Sequence, residues 1–88
     1  MTELILDGLA IKSREELHNV LSAGLGFPSY YGRNLDALFD CLTERREETR
    51  LYLRNAEQLP YGERLLRVLH QAAEENPGLH IETEDGCG

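Results

Sequence analysis

Hydrophobic and polar positions follow two different periods along the chain, and together they predict three strands and three main helices. Apolar residues recur every three or four positions over residues 14–23, 35–43 and 63–75, which is the helical period. Apolar or alternating runs at residues 3–6, 50–54 and 79–83 are typical of strands. Because helices separate the strands, we predict an α/β fold: a small single domain over residues 1–88, with a three-stranded parallel β-sheet packed with three to four helices.

Turn and capping residues set the boundaries of these elements. Ser13 and Glu16 form a capping box at the start of the first helix, and Gly26 and Pro28 follow its end. Residues 55–59 are enough for one short helical turn, which gives the fourth helix. Residues 44–49 carry mixed charge and are expected to form a frayed helix end and a solvated loop. The centre of the first strand is apolar, so we expect that strand to be buried, and we expect residues 84–88 to form a flexible tail.

The second helix carries an unusual pair of carboxylates on its polar face. Asn34 is a good N-cap for this helix, and Asp36 lies in the first turn, where the helix dipole favours an anion. Asp40 is one turn further on, and its repulsion from Asp36 costs about 0.2–0.5 kcal/mol. A charge pair kept at a cost to folding indicates a function, although two aspartates on a solvated helix face are also common. The apolar arc of this helix consists of Leu35, Leu38, Cys41 and Leu42, with Phe39 at its edge.

The charge balance restricts the kind of partner. The 88 residues include nine basic and sixteen acidic side chains, which gives a formal net charge of −7. Nucleic-acid binders need a basic surface, so we expect no direct contact with nucleic acid and favour a basic protein as the partner. The first residues lack the features of a secretion signal and no run is long enough to span a membrane, so we expect a cytoplasmic protein. We expect Cys41 and Cys87 to be reduced, with Cys41 packed in the core.

Residues that could support catalysis or metal binding are scattered. His18, His70 and His80 lie on three separate predicted elements without the shared spacing of metal ligands, so we expect no metal and no cofactor. Asp36 and Asp40 could act as the general acid–base pair of a small hydrolase. That chemistry needs a pocket and a shifted pKa, which the sequence does not indicate. We therefore expect a binding protein and not an enzyme.

The stretch from Tyr30 to Leu42 resembles the signature of a known family. It reads Tyr-Tyr-Gly-x-Asn-Leu-Asp-Ala-Leu-x-Asp-Cys-Leu, which is similar to the motif of the barstar family, small intracellular inhibitors of microbial ribonucleases. The order and length of the elements also fit over nearly the whole chain. The resemblance implies the fold predicted above and a cytoplasmic inhibitor. Such an inhibitor plugs the active site of a basic, secreted, barnase-like ribonuclease in a one-to-one complex, using this helix and the loop before it.

The resemblance also implies roles for individual residues. Asp40 would occupy the place of a substrate phosphate, and Asp36 would add a second contact with the cations of the cleft. Tyr30 would pack on the rim of the active site or on its histidine. The other implied contact residues are Asn34, Leu35, Phe39 and Thr43 in and beside the second helix, and Gln71 and Glu75 in the last helix.

Several positions depart from the family's well-known member, and they concern the rim of the contact surface. Phe39 replaces a tryptophan, Gln71 replaces a glutamate, and Arg33 replaces an acidic residue. Glu44 and Arg45 replace a Gly-Trp pair. Because rim charges tune specificity, these departures leave a second hypothesis open: an antitoxin or immunity-type protein for a different basic nuclease or toxin.

Overall fold

The structure of the protein is a computed structural model that describes residues 1–84. It confirms the predicted α/β fold class. Three strands form one parallel sheet in the order β1-β2-β3, and helices separate them along the chain. The elements are β1 (Thr2–Asp7), α1 (Arg14–Leu25), α2 (Leu35–Glu44), β2 (Thr49–Arg54), a 3-10 turn (Ala56–Gln58), α3 (Glu63–Glu75) and β3 (Leu79–Glu84). Residue 84 therefore belongs to β3, and the rest of the predicted tail, residues 85–88, lies outside the described residues.

One face of the sheet is covered by helices and the other is open. α1 packs on β1 and α3 packs on β3, while α2 packs mainly on α3. The covered face contributes Leu6, Leu51 and Leu53, which are fully buried. The expectation of a buried first strand is wrong for the open face, because side chains alternate along a strand and Ile5 is 57% exposed. All the helices that carry candidate functional residues therefore lie on one side of the sheet.

A glycine lets α1 run past its predicted end and pack closely on the sheet. The hydroxyl of Ser13 accepts the backbone N–H of Glu16 at 3.1 Å, which confirms the predicted N-cap. The helix continues two residues beyond its predicted end and stops at Gly26, whose φ of 68° is left-handed. Gly24 lies inside the helix and faces β1: an added Cβ would be 2.6 Å from Leu4 Cδ1, so the Leu4 side chain would have to shift.

The segment between α2 and β2 is anchored in the fold, contrary to the prediction of a frayed and solvated loop. The half-buried Arg45 donates from Nη1 to the carbonyl of Leu25 at 2.5 Å and from Nε to the hydroxyl of Thr49 at 2.9 Å. The buried side chain of Asn76 donates from Nδ2 to the carbonyls of Leu42 and Arg45, at 2.9 and 3.0 Å. Carbonyls at the end of a helix need such donors, so these contacts fix the C-terminus of α2.

Candidate partner-binding surface

The first turn of α2 is fixed by its N-cap. The Oδ1 of Asn34 accepts the backbone N–H of Ala37 at 2.7 Å, and its Nδ2 donates to the carbonyl of Gly32 at 3.3 Å. The backbone of Asn34 is extended, with φ −142° and ψ 172°, as an N-cap requires. The predicted cap is confirmed, and the amide expected to touch a partner also holds the start of the helix. Its contact with a partner stays a prediction.

α2 presents a row of carboxylates on the side away from the core. Leu38 and Leu42 are fully buried, whereas Asp36 and Asp40 are exposed one turn apart. Glu44, which was not predicted as a contact residue, is also exposed and continues the row by one more turn. In the part of the chain that the structure describes, no ion pair or hydrogen bond engages these three carboxylates. Their negative charge is therefore available to a partner.

The loop at residues 26–33, here termed the recognition loop, exposes one tyrosine and buries the next. Tyr30 is 86% exposed, which is unusual for so large a ring. Tyr31 is only 8% exposed, and its ring packs against Phe27 with 4.8 Å between the ring centroids. The buried ring thus anchors the loop that presents the exposed one.

A buried histidine joins the recognition loop to α1 and to the loop before α3. His18 is 2% exposed; its Nδ1 lies 2.7 Å from the hydroxyl of Tyr31, and its Nε2 lies 2.9 Å from the hydroxyl of Tyr61. Burial lowers the pKa of His18, and the nearby Arg33 guanidinium lowers it further. Burial likewise raises the pKa of the Tyr31 hydroxyl well above its ordinary value. We call these three side chains the imidazole clasp.

The imidazole clasp was not predicted from the sequence, although one signal for it is present there. His18 follows the buried Leu17 and precedes the buried Leu21 by three residues, so a helical wheel places it on the core side of α1. Its two tyrosine partners lie 13 and 43 residues further along the chain, and no local pattern links them to it. A buried histidine could therefore be predicted, but its partners could not.

Arg33, at the end of the recognition loop, is turned back onto α1. Its guanidinium donates to Oδ1 of Asn19, and to the backbone carbonyl of Glu15 at 3.5 Å. Its φ of 55° is left-handed, which few residues with a side chain adopt, so these contacts hold a costly backbone geometry. The cation at this position is therefore engaged within the fold of the chain itself.

A groove of about 450 Å³ lies between the recognition loop and α2. Asp40 and Glu44 contribute its acidic side, and Phe27 and Tyr31 are among the rings that line it. Of the nine contact residues implied by the resemblance, the groove includes Asp40 and Tyr30. The structure therefore brings the principal predicted carboxylate and the predicted aromatic contact together around one concave site.

The remaining predicted contact residues are divided between the edge of the core and the surface. Leu35 and Phe39 are half-buried and pack against the core. Thr43 is half-buried, and its hydroxyl donates to the backbone carbonyl three residues before it at 3.1 Å. Gln71 and Glu75 are exposed on α3 and do not line the groove. Their contact with a partner stays a prediction.

The thiol of Cys41 lies between the core and the groove. It is half-buried and packs against the core, not within it as predicted, and it also lines the groove. Burial raises the pKa of this thiol, and the carboxylates of Glu44 and Asp40 raise it further, which makes it a poor nucleophile. Within residues 1–84 there is no group of three or more side chains arranged to hold a metal ion. No helix in the same region is long and apolar enough to cross a membrane.

The fold and this surface define a small α/β domain with an exposed acidic helix face and an exposed tyrosine ring beside it. The sequence profile of the barstar family, described as "Barstar (barnase inhibitor)", matches residues 1–84. The chain is also 42% identical over 81 residues to the Bacillus subtilis (strain 168) protein named "Putative ribonuclease inhibitor YrdF". That alignment covers 85% of this chain and 89% of the relative. The chain therefore belongs to the barstar family, which confirms the resemblance drawn from its motif.

Proposed function

We propose that this protein inhibits a basic, secreted, barnase-like ribonuclease in a one-to-one complex by filling its active-site cleft. The observation that carries the proposal is the pair Asp36 and Asp40 on α2, which are exposed and engage no cation within the described chain. Asp40 lines the same groove as the exposed ring of Tyr30. Charge of one sign beside an aromatic anchor is typical of protein-recognition surfaces. Membership of the barstar family and the name of the B. subtilis relative support the same kind of activity.

The proposed mechanism is mimicry of the substrate. A ribonuclease cleft binds the phosphates of RNA and therefore carries Arg, Lys and His side chains. Asp40 takes the place of one phosphate and accepts charge-assisted hydrogen bonds from these cations, and Asp36 adds a second contact. Tyr30 packs on the rim of the cleft, where its ring excludes water from the ion pairs. The groove beside Asp40 leaves room for side chains that project from the enzyme.

The helix that carries the carboxylates is held in place before the partner arrives. Asn34 caps its start, and Asn76 holds the carbonyls at its end. A pre-formed surface loses less conformational entropy on binding, so more of the contact energy contributes to affinity. The repulsion between the two aspartates disfavours the free protein and is relieved when cations of the enzyme lie beside them.

The charge of the chain suits this role. A net charge of −7 favours rapid, salt-sensitive association with a basic enzyme. We propose that the protein acts in the cytoplasm and silences ribonuclease molecules that have not left the producing cell. In this role it binds the enzyme and not RNA, needs no cofactor and performs no catalysis.

The test compares Asp40→Ala with Glu3→Ala as inhibitors of barnase in an RNA-cleavage assay. Both changes remove one carboxylate, but Glu3 lies on the open face of the sheet, where it pairs with Arg50 at 3.5 Å. Loss of a hydrogen bond to a charged group costs about 1.5–3 kcal/mol, so Asp40→Ala should weaken inhibition by about tenfold or more. Exposed ion pairs contribute little, so Glu3→Ala should inhibit almost as well as the unmodified protein.

Two outcomes contradict the proposal. Equal inhibition by the two variants would show that the enzyme does not bind the carboxylate of Asp40 on α2. If even the unmodified protein leaves barnase fully active, the barnase-like form of the proposal fails, and a different basic nuclease or toxin becomes the better candidate.

A further inference from the structure

Both ring nitrogens of His18 are engaged, and their partners come from two different loops. Tyr31 belongs to the recognition loop, and Tyr61 belongs to the loop before α3. The backbone of Tyr61 has a φ of 72°, which is rare for a residue with a side chain, so the contacts of this side chain hold a strained position. Because His18 itself lies on α1, one buried imidazole connects three segments: α1, the loop before α3 and the recognition loop that exposes Tyr30.

Every donor in the imidazole clasp has an acceptor only when its ring is neutral. A neutral imidazole has one N–H donor and one acceptor nitrogen, so one tyrosine hydroxyl accepts a hydrogen bond and the other donates one. A protonated ring has two donors and no acceptor, so the hydroxyl that had donated must accept instead, and its own hydrogen is left without an acceptor. Tyr31 is 8% exposed and Tyr61 is half-buried, so water does not readily satisfy that hydroxyl hydrogen, and the buried ring then also carries a charge.

Among the charged groups around the clasp, Arg33 opposes a positive ring. From the recognition loop, the Arg33 guanidinium lies close enough to lower the pKa of His18, in addition to the larger effect of burial. From α1, Arg14 places its guanidinium 4.5 Å from the centre of the Tyr61 ring. From α2, the titratable group near the clasp is Cys41, whose raised pKa keeps it neutral. In the described chain, no carboxylate is among the groups that shift the pKa of His18.

We propose that His18 is a positioning residue: its neutral imidazole holds the recognition loop in its binding form, and its protonation releases the loop and weakens inhibition. This inference rests on the proposed function, because it assigns a pH dependence to the same surface. His18 itself does not touch the enzyme. Tyr31 transmits the effect to Tyr30, its neighbour in the chain.

The direction of the pH effect follows from the two states of the loop. With the loop closed, the pKa of His18 lies below its ordinary value of 6.5, and with the loop open to water it returns to about 6.5. The open state therefore takes up a proton more readily than the closed state. The advantage of the closed state is complete above about pH 6.5 and is lost as the pH falls through the lowered pKa. Inhibition should be strongest at neutral pH and weaker in acid.

The test follows inhibition of barnase from about pH 7.5 to about pH 5 by the unmodified protein, His18→Gln and His80→Gln. Groups of the enzyme titrate in the same range but affect every variant alike, so the comparison isolates the inhibitor. His80 is the matched control, because it is half-buried on the open face of the sheet beside Glu48. The unmodified protein and His80→Gln should lose affinity in parallel on acidification, by about threefold or more beyond the loss of His18→Gln.

A milder variant keeps the test possible if His18→Gln does not fold. Tyr61→Phe removes one hydroxyl of the clasp and keeps the ring that packs under Arg14. It should inhibit less well than the unmodified protein at neutral pH and respond less to acid. A Tyr61→Phe variant with the full affinity and the full pH response of the unmodified protein would contradict the inference.

NMR of the free and bound protein gives a readout that a merely structural role would not change. Because linkage is reciprocal, binding of barnase should lower the pKa of His18 by about one unit for each tenfold loss of affinity on protonation. In the free protein, the backbone N–H of Tyr31, which donates to the carbonyl of Pro28 at 3.0 Å, should lose protection from hydrogen exchange as His18 takes up its proton.

The outcomes separate this inference from the proposed function. If barnase binds but leaves the pKa of His18 unchanged, and His18→Gln has the pH profile of the unmodified protein, the clasp is only structural and the inference is overturned. If no variant binds barnase while protonation of His18 still opens the free loop, the proposed function is what has failed, and the pH-dependent release of the loop stands.

Discussion

Replacing Asp40 with alanine should separate the stability of this protein from its activity. Asp40 is exposed on α2 one turn after Asp36, and its carboxylate makes no hydrogen bond within the described chain. Its removal relieves a like-charge repulsion of about 0.2–0.5 kcal/mol, and alanine is the better helix former by up to about 0.7 kcal/mol. The free energy of unfolding should therefore rise by up to about 1 kcal/mol, which raises Tm by about 4–8 °C in a domain of this size.

The same change at Asp36 has a different balance and serves as the control. Asp36 lies in the first turn of α2, where its interaction with the helix dipole contributes about 0.3–1 kcal/mol. That loss offsets the gains from relieved repulsion and from helix propensity. Asp36→Ala should therefore leave Tm nearly unchanged while it weakens inhibition.

Thermal unfolding by circular dichroism and titration against barnase measure both properties on the same samples. Asp40→Ala should unfold at the same or a higher temperature than the unmodified protein and should inhibit about tenfold or more less well. Part of its gain in stability should disappear at high ionic strength, because salt screens the repulsion between exposed charges. An Asp40→Ala variant that unfolds at a lower temperature and still inhibits barnase would show that Asp40 serves the fold and not the binding of the enzyme.

Three other changes test separate parts of the account. Tyr30→Ala removes an 86% exposed ring, so Tm should hold while inhibition weakens by more than about 1 kcal/mol; unchanged inhibition would exclude this ring from the contact. Asn76→Ala removes the donor that serves the carbonyl of Leu42, so urea unfolding should show a loss of about 2 kcal/mol or more, and a negligible loss would show that the end of α2 is held by other contacts. Raising the ionic strength tenfold should slow association about tenfold in stopped-flow measurements and change dissociation little, whereas a salt-independent association rate would argue against charge steering.

The sequence predicted the helix of the candidate site well, because the signals for that helix are local. Asn34 was predicted as the N-cap and is the N-cap, and the apolar arc that includes Leu38 and Leu42 is the buried side of α2. The end of α2 differs from the prediction by one residue. Capping and helical periodicity depend on residues within one or two turns, so a single sequence is sufficient to reveal them.

The features that support the site could not be predicted, because they depend on residues far apart in the chain. The charge pattern around Arg45 indicates a solvated loop, yet its guanidinium reaches the end of α1, 20 residues earlier. The carbonyl of Leu42 is served by an amide 34 residues later, and His18 bonds to a tyrosine 43 residues later. Ile5 was expected to be buried because its neighbours are apolar, but only the packing of the helices decides which face of the sheet stays open.

The most direct test of the account is a crystal structure of this protein bound to barnase. In that complex, α2 should enter the active-site cleft. The carboxylate of Asp40 should lie about 3 Å from the nitrogen atoms of the cations that otherwise bind phosphate. A complex in which α2 faces solvent, and the enzyme instead contacts the open face of the sheet, would contradict it.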